Sequence, residues 1–358
     1  MPISAIDTIA LAVQHTKQQL FQPFRLWQWT RLALVGLLAG EIGSSGSFHF
    51  PSNFNFPQTN GPSRHFMEQS FPKIDPAILG GLVAVLVIAG GIFLIVLMYI
   101  SSVMRFILFD SIVTKECHIR QGWAHRQGPA WRYFLWQLGF MLAVIAAAVV
   151  FLGIPAGFAY SMGWFSQPGE HVLGLVLGGI VMLFVAFVFF VGIAVVHVLT
   201  KDFVVPQMAL EGIGAIEGWR RLWKIMEAEK GGYAGYIGMK IVMAIGAGIM
   251  VAIATVILGL MIVIPSAALA IVAVLTGKSA GLTWNAFTIT VMVVAACILF
   301  AIFMYLVALI SVPVIVFFPA YSIYFFAPRY RALGLVVYPP PAAGPEEPPM
   351  PLMPAPIG

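Results

Sequence analysis

Charge is what this chain has least of. Asp, Glu, Lys and Arg make up 9% of its 358 residues, against about 25% in soluble domains. With 60% hydrophobic residues and a mean hydropathy of +0.95, too few charges remain to cover a soluble core, so the bilayer must be the solvent. Cysteine is scarce as well. Cys117 falls in a charged loop and Cys297 in an apolar run. That pair excludes a thiolate metal site and argues against a disulfide. The N-terminus lacks a basic n-region and a small-residue cleavage site, so no cleavable signal is expected. HExxH, GxSxG and Walker patterns are missing. His15, His49, His65, His118, His125, His171 and His197 are scattered, and no two share ligand spacing on a helix. Neither an enzyme nor a cofactor or metal is expected. The middles of the long apolar runs hold no Asp, Glu, Lys or Arg, which argues against an ion-coupled transporter or proton pump.

What is present is organised around Leu199 to Lys240. This stretch between two apolar runs holds Lys201, Arg220, Arg221, Lys224, Lys230 and Lys240, six of nineteen Lys and Arg. Ile213, Ile216, Trp219, Leu222 and Met226 recur at steps of three or four, opposite Glu217, Arg221, Lys224 and Glu227. The pattern predicts an amphipathic helix lying in the membrane interface.

Upstream, residues 4–21 read as a short interfacial helix with Ile6, Ile9, Val13 and Leu20 on one face. Pro23 ends it, and Phe24, Arg25, Trp27 and Trp29 form a membrane-entry belt. A first, weak span runs from about Leu26 to Ile42, where Arg31 must snorkel or pair. Residues 43–76 are a turn-rich loop with interleaved Phe. Ala77 to Met104 is a second span, long enough to tilt. A basic segment with Arg105, Lys115, Arg120, Arg126 and Arg132 follows, and Pro129 precedes a second belt of Trp131, Tyr133 and Trp136. Further spans are expected at Tyr133–Gly153, ending before Pro155, and at Val172–Leu199. A fifth covers Tyr236–Ile264 and is ended or kinked at Pro265, with Ser266–Leu275 a kinked continuation or re-entrant piece. A sixth covers Ala286–Phe318. The fold class is therefore all-α and polytopic, with one integral membrane domain over 1–335. A Pro-rich tail at 336–358 should be disordered.

Six spans place sixteen Lys and Arg on one side and only Arg64, Lys73 and Lys278 on the other. The positive-inside rule then puts both termini in the cytoplasm, here of a bacterial cytoplasmic membrane. The even spans end alike, in Arg105-Phe-Ile-Leu-Phe-Asp110, Lys201-Asp-Phe-Val-Val-Pro206 and Val-Ile-Val-Phe-Phe-Pro319. These endings suggest three parallel units, 1–105, 106–201 and 202–320.

Arg105, Asp110, Lys201 and Asp202 sit where spans meet interfacial segments. They are read either as charge pairs lining a headgroup pocket or as caps and positive-inside anchors. Arg220 and Arg221 are read either as anionic-lipid contacts or as a solvated face, since Glu211, Glu217, Glu227 and Glu229 nearly balance the local bases. The basic residues lie in loops between spans, so nucleic acid is not an expected partner. Membrane lipids are, with membrane proteins as further candidates.

The run from Asp202 to Tyr233 resembles a motif of uncharacterised bacterial six-span families. In these a span closes on D-x-x-x-P-x-x-x-x-E and an amphipathic helix with a Gly leads to the next span. Asp202, Pro206, Glu211, Glu217, Trp219 and Gly231 hold the matching places. The membrane domain attached to some glycerophosphoryl diester phosphodiesterases looks similar. The hydrolase barrel of those proteins is absent, so the resemblance implies an architecture and no reaction. The expectation is a non-enzymatic membrane protein that organises lipids or partners. The alternative is a carrier or flippase-like protein with a cavity lined by Arg105, Asp110, Lys201 or Asp202.

Overall fold

The computed structural model describes residues 4–41, 76–164, 169, 171–279 and 286–339. No strand occurs among them. The helices are α1 (Asp7–Phe21), α2 (Leu26–Leu38), α3 (Pro76–Thr114), α4 (Ile119–Ala148), α5 (Ile154–Ser161), α6 (Val172–Leu199), α7 (Val205–Glu211), α8 (Ala215–Ala228), α9 (Lys230–Ser279), α10 (Ala286–Phe326) and α11 (Arg331–Val337). The aromatic loop at 43–76 and the Pro-rich tail lie almost wholly outside the described residues.

Proline accounts for the irregular turns. Two π-helical turns, Val149–Gly153 and Thr200–Val204, join α4 to α5 and α6 to α7. Each ends two residues before a proline, Pro155 or Pro206. Proline has no N–H to return to the preceding turn, and its ring crowds the carbonyl four residues back. Widening the turn relieves both without ending the helix. The third span therefore does not stop at Pro155 but runs on through α5. Pro129 and Pro265 lie inside α4 and α9. Ile119 to Ala148 thus runs unbroken through Pro129 into the third span, and Ser266–Leu275 continues α9 without re-entering.

Five helical runs among the described residues are long and apolar enough to cross a membrane: Gly80–Thr114, Ile119–Ser161, Val172–Glu211, Lys230–Gly277 and Phe287–Phe326. The expected first span is observed as α2, whose 13 residues rise about 20 Å, short of the ~30 Å hydrocarbon core.

Burial is concentrated at one end of the bundle, here called the base. In the most apolar stretches of the first three runs no residue is buried. At the base, the ends of α3, α6 and α10 and the starts of α4 and α9 converge. Helices α1, α2, α7, α8 and α11 buttress them. An aromatic knot fills the centre. Phe203 packs at 5.0–5.3 Å from the rings of Tyr233, Tyr236 and Phe326. Tyr236 stacks on Tyr321 at 5.1 Å and meets Phe325 at 4.6 Å. Such pairs contribute about 0.5–1.5 kcal/mol each beyond area burial.

Helix α1 docks on a face that takes in only part of its apolar set. Thr8, Ala12, His15, Thr16, Gln19 and Leu20 are buried, while Ile6 and Val13 are exposed. The end of α10 and the end of α3 offer polar partners, and these decide the face. Tyr321 Oη donates to the Ala5 carbonyl at 3.2 Å, and His15 Nδ1 lies 3.1 Å from Tyr324 Oη. Gln19 Nε2 donates to the Ser111 carbonyl at 2.8 Å. Small residues on that face allow the close approach these bonds need.

Candidate functional site

The base holds a buried cluster of charge. Arg105 comes from α3, Glu41 from just past α2, Lys201 and Asp202 from the π turn after α6, and Lys240 from α9. The π turn matters here, because it swings two consecutive charged residues toward the bundle centre at the point where Pro206 prevents ordinary helix. Lys201 pairs with Glu41. Lys240 pairs with Asp202, which also accepts a 2.9 Å hydrogen bond from Tyr236 Oη. Arg105 donates from Nη1 to Tyr133 Oη at 2.5 Å and from Nη2 to the Ala39 carbonyl at 3.0 Å. Lys240 Nζ lies 5.7 Å from the Tyr236 ring centre and 5.9 Å from that of Phe318. Half-buried His197 stands one turn above on α6.

Two small voids border the cluster, each of about 30 Å³. The first is lined by Glu41, Arg105, Lys201, Asp202, Pro206 and Ser322 among others. The second is lined by Glu41, Lys201, Lys240 and Phe318. These are water-sized spaces. A larger space, about 330 Å³, is an apolar groove between α4 and α6 lined by residues such as Phe140, Ala147, Phe189 and Val196.

Of the residues singled out from the sequence, Arg105, Lys201 and Asp202 come together, and Pro206 lines their void. Asp110 does not join them. It accepts a forked pair of 2.7 Å bonds from Arg126, whose Nη1 also reaches the Ala209 carbonyl at 2.5 Å. Asp110 thus ties α3 to α4 and α7 and caps no helix. Nor does either aspartate pair with the base nearest in sequence: neither Arg105 with Asp110 nor Lys201 with Asp202 is an ion pair. Glu211 pairs with Arg221 and accepts from Tyr330 Oη. Gly212 follows it at φ +64°, the left-handed cap that ends α7.

The apolar residues expected to share one face of α8 divide in two. Trp219 turns inward and its Nε1 donates to Thr200 Oγ1 at 3.1 Å, beside buried Leu222. Ile216 is 72% exposed and points away from the core with Trp223, 62% exposed. Arg220 lies between them on that outer stripe and bonds Glu217 at 2.8 Å. A second clamp closes the base: Arg329 holds Glu229 through Nε at 2.8 Å and Nη2 at 2.7 Å, with its guanidinium 3.9 Å from the Phe325 ring centre.

Glu41 was not singled out from sequence, and Lys240, Tyr133 and Tyr236 were read only as a local base, part of an aromatic belt and a span start. The available signal was a polar residue within the first or last two turns of an apolar run. That signal is shared by ordinary interfacial anchors.

Fold and cluster together define a helical, multi-pass membrane protein whose polar groups gather at one end of the bundle. Within that class, the chain belongs to a family of unknown function, DUF7544, whose model matches residues 3–336. No curated protein and no solved structure matches it. The likeness to the phosphodiesterase-attached membrane domain finds no support in these comparisons.

Proposed function

We propose that this is a non-enzymatic protein of a bacterial cytoplasmic membrane that organises lipids or partner proteins around its base. The observation that carries this reading is the contrast between a close-packed base and apolar runs that pack on little of the protein itself. Apolar surface left open along whole spans is surface offered to lipid or to other membrane proteins. The outer stripe of α8, with Ile216, Arg220 and Trp223, adds the apolar-plus-basic chemistry of a headgroup contact. Trp27 near the start of α2, 68% exposed, adds to the same belt.

Six crossings with both termini cytoplasmic belong to this proposal. Helix α1 packs on the C-terminal end of α10 at the base, which supports that reading. Ala39 lies level with Arg105, whereas α3 begins 29 residues before Arg105, about 44 Å away along the helix. Ala39 and the start of α3 thus lie far apart along the bundle, which supports an even number of traversals. Amphipathic interfacial helices and the three parallel units complete the reading. The like placement of Arg105 and Lys201 at two span ends supports the units.

The carrier alternative needs a path for a polar headgroup. The voids beside Arg105, Lys201 and Asp202 are water-sized and the larger groove is apolar, so the geometry favours the organising role. Native mass spectrometry of the protein extracted with its surrounding membrane tests this. A lipid class retained by wild type and lost in a Trp223→Ala, Arg220→Gln double variant is the expected result. Lipid-indifferent protein that scrambles labelled phospholipid across vesicles would hand the function to the carrier.

A further inference from the structure

We propose that the groove between α4 and α6 holds one acyl chain of an anionic membrane phospholipid, whose headgroup sits at Arg132. The groove has the dimensions of a single chain. Its lining runs from Phe140 to Ala147 on α4 and from Val196 back to Val188 on α6, about 10–12 Å along either helix. Spread over that length, its volume of about 330 Å³ gives a cross-section of roughly 30 Å², well under half that of a helix about 10–12 Å across. A hydrocarbon chain fits such a trough and a helix of a second copy does not. No lining residue carries a polar side chain.

Both ends of the trough are defined. At the far end the π turn Val149–Gly153 packs on α6, and the Phe151 and Phe189 ring centres lie 6.4 Å apart. In the middle the walls are small. A Cβ on Gly192 would meet nothing within 4 Å. Glycine weakens a helix interior, and among the described residues no packed neighbour requires it there. What it leaves is room. At the base end Trp136 stacks on Phe140 at 5.3 Å and 6°, which puts the mouth of the trough at the aromatic belt. Arg132 stands two turns nearer the base than Phe140, about 12 Å along α4. It is exposed, its Nη1 donates to the Gly212 carbonyl at 2.7 Å, and no carboxylate pairs with it among the described residues. A chain lying in the trough brings its glycerol to Trp136 and its phosphate within the sweep of the long Arg132 side chain. Apolar walls alone would accept any chain, and the cation at the mouth selects an anionic headgroup.

The proposal rests on the lipid-organising reading and gives it a defined lipid site. The test uses the full chain in phosphatidylcholine nanodiscs with a trace of phosphatidylglycerol that carries a diazirine near the end of one chain. After illumination, labelled peptides are mapped by mass spectrometry. Segments 140–147 and 188–196 should be labelled. Added unlabelled phosphatidylglycerol should suppress that label about fivefold better than the same amount of phosphatidylcholine, the preference one arginine near the surface supplies. Gly192→Leu fills the trough with a residue that suits a helix better than glycine, so it should fold and lose the label. Arg132→Gln should keep the label and lose the headgroup preference. Label no more competable than that on the exposed stretch of α3 from Gly80 to Leu97, or label undiminished in Gly192→Leu, means bulk lipid only and overturns the site. A preference that survives in Arg132→Gln overturns the headgroup assignment. Benzoylphenylalanine placed at Val144 overturns the site if it captures a second chain. Competable label confined to α8 would strike the groove and leave the organising role standing, whereas no competable label anywhere would strike both.

Discussion

Phe187 and Phe203 lie on the same helical run, α6 continued through its π turn, yet their surroundings have nothing in common. Phe203 is fully buried among the rings of Tyr233, Tyr236, Phe325 and Phe326. Phe187 is 64% exposed along an apolar run that the protein scarcely covers. In water the second arrangement would be unstable. In a bilayer it costs nothing, because lipid tails are as apolar as a protein core and give helices no hydrophobic reason to pack on one another. Cohesion must then come from somewhere other than the spans. The base supplies it with aromatic packing, ion pairs and helix ends that lock together. The spans are held by their roots.

The largest test of that difference is electrostatic. Asp202→Asn leaves the buried ammonium of Lys240 without its carboxylate. It should cost about 3–5 kcal/mol, read as a large drop in Tm or loss of monodisperse protein in detergent. The same exchange at the exposed Arg220–Glu217 pair, Glu217→Gln, should cost less than about 1 kcal/mol. Comparable losses at both sites would mean that the base cluster is not dry.

Next comes the aromatic pair itself. Phe203→Ala should destabilise by about 3–5 kcal/mol, whereas Phe187→Ala should barely move Tm in detergent. If Phe187→Ala is equally damaging, α6 is covered by a second copy or another part of the protein, and the spans are not held by the base alone.

A smaller effect is expected from close packing. A Cβ on Gly218 would lie 2.8 Å from Val204 Cγ1, where α8 crosses the π turn. Gly218→Val should cost about 1–3 kcal/mol by overpacking. Nothing lies within 4 Å of a Cβ on Gly90 in the second span, so Gly90→Val should be tolerated.

The smallest effect is a pH dependence confined to the base. Hydrogen bonds from Arg329 hold Glu229 below its ordinary value of 4.5. Its contribution is present in full above that value and is lost as pH falls through the lowered one. Burial, and then the charge of Lys115, hold His15 below its ordinary 6.5. Folding therefore favours neutral His15, and stability declines as pH falls below 6.5 toward the lowered value. Thermal unfolding should weaken on acidification in two stages. His15→Gln should flatten the upper stage and Glu229→Gln the lower. An unchanged profile in both variants would place the acid-sensitive contacts outside α1 and the Arg329 clamp.

Much of this architecture is legible from residue order. Val172–Leu199 stands as read, because 28 residues with His197 as the only ionisable group are most stable as a helix in lipid. The short helix over 4–21 and the helix after Gly214 are also visible, since their start and stop residues are local. Three things were not. One is the fate of the prolines: Pro155 looks like an ending and Pro265 like an ending or a kink, and whether a helix widens, bends or stops depends on what packs beside it. Another is which face docks. Ile6, Val13 and Ile216 stay exposed while Leu20 and Leu222 of the same apolar sets are drawn into the base, because the lipid interface competes with the core for apolar side chains. The last is pairing. Arg105 sits near Asp110, and Lys201 beside Asp202, but each carboxylate takes a base brought from elsewhere, Arg126 or Lys240.

The sequence by itself determined the solvent, the class of structure and the length of each apolar run. Hydropathy summed over some twenty residues outweighs any local preference, and backbone hydrogen bonds in lipid must close within the helix. Only the tertiary structure decided that Glu41, Arg105, Lys201, Asp202 and Lys240 meet in one buried cluster. Ion pairing is short-ranged, and the groups that share it here are up to about 200 residues apart along the chain. Nothing smaller than the packed base brings them within reach of one another.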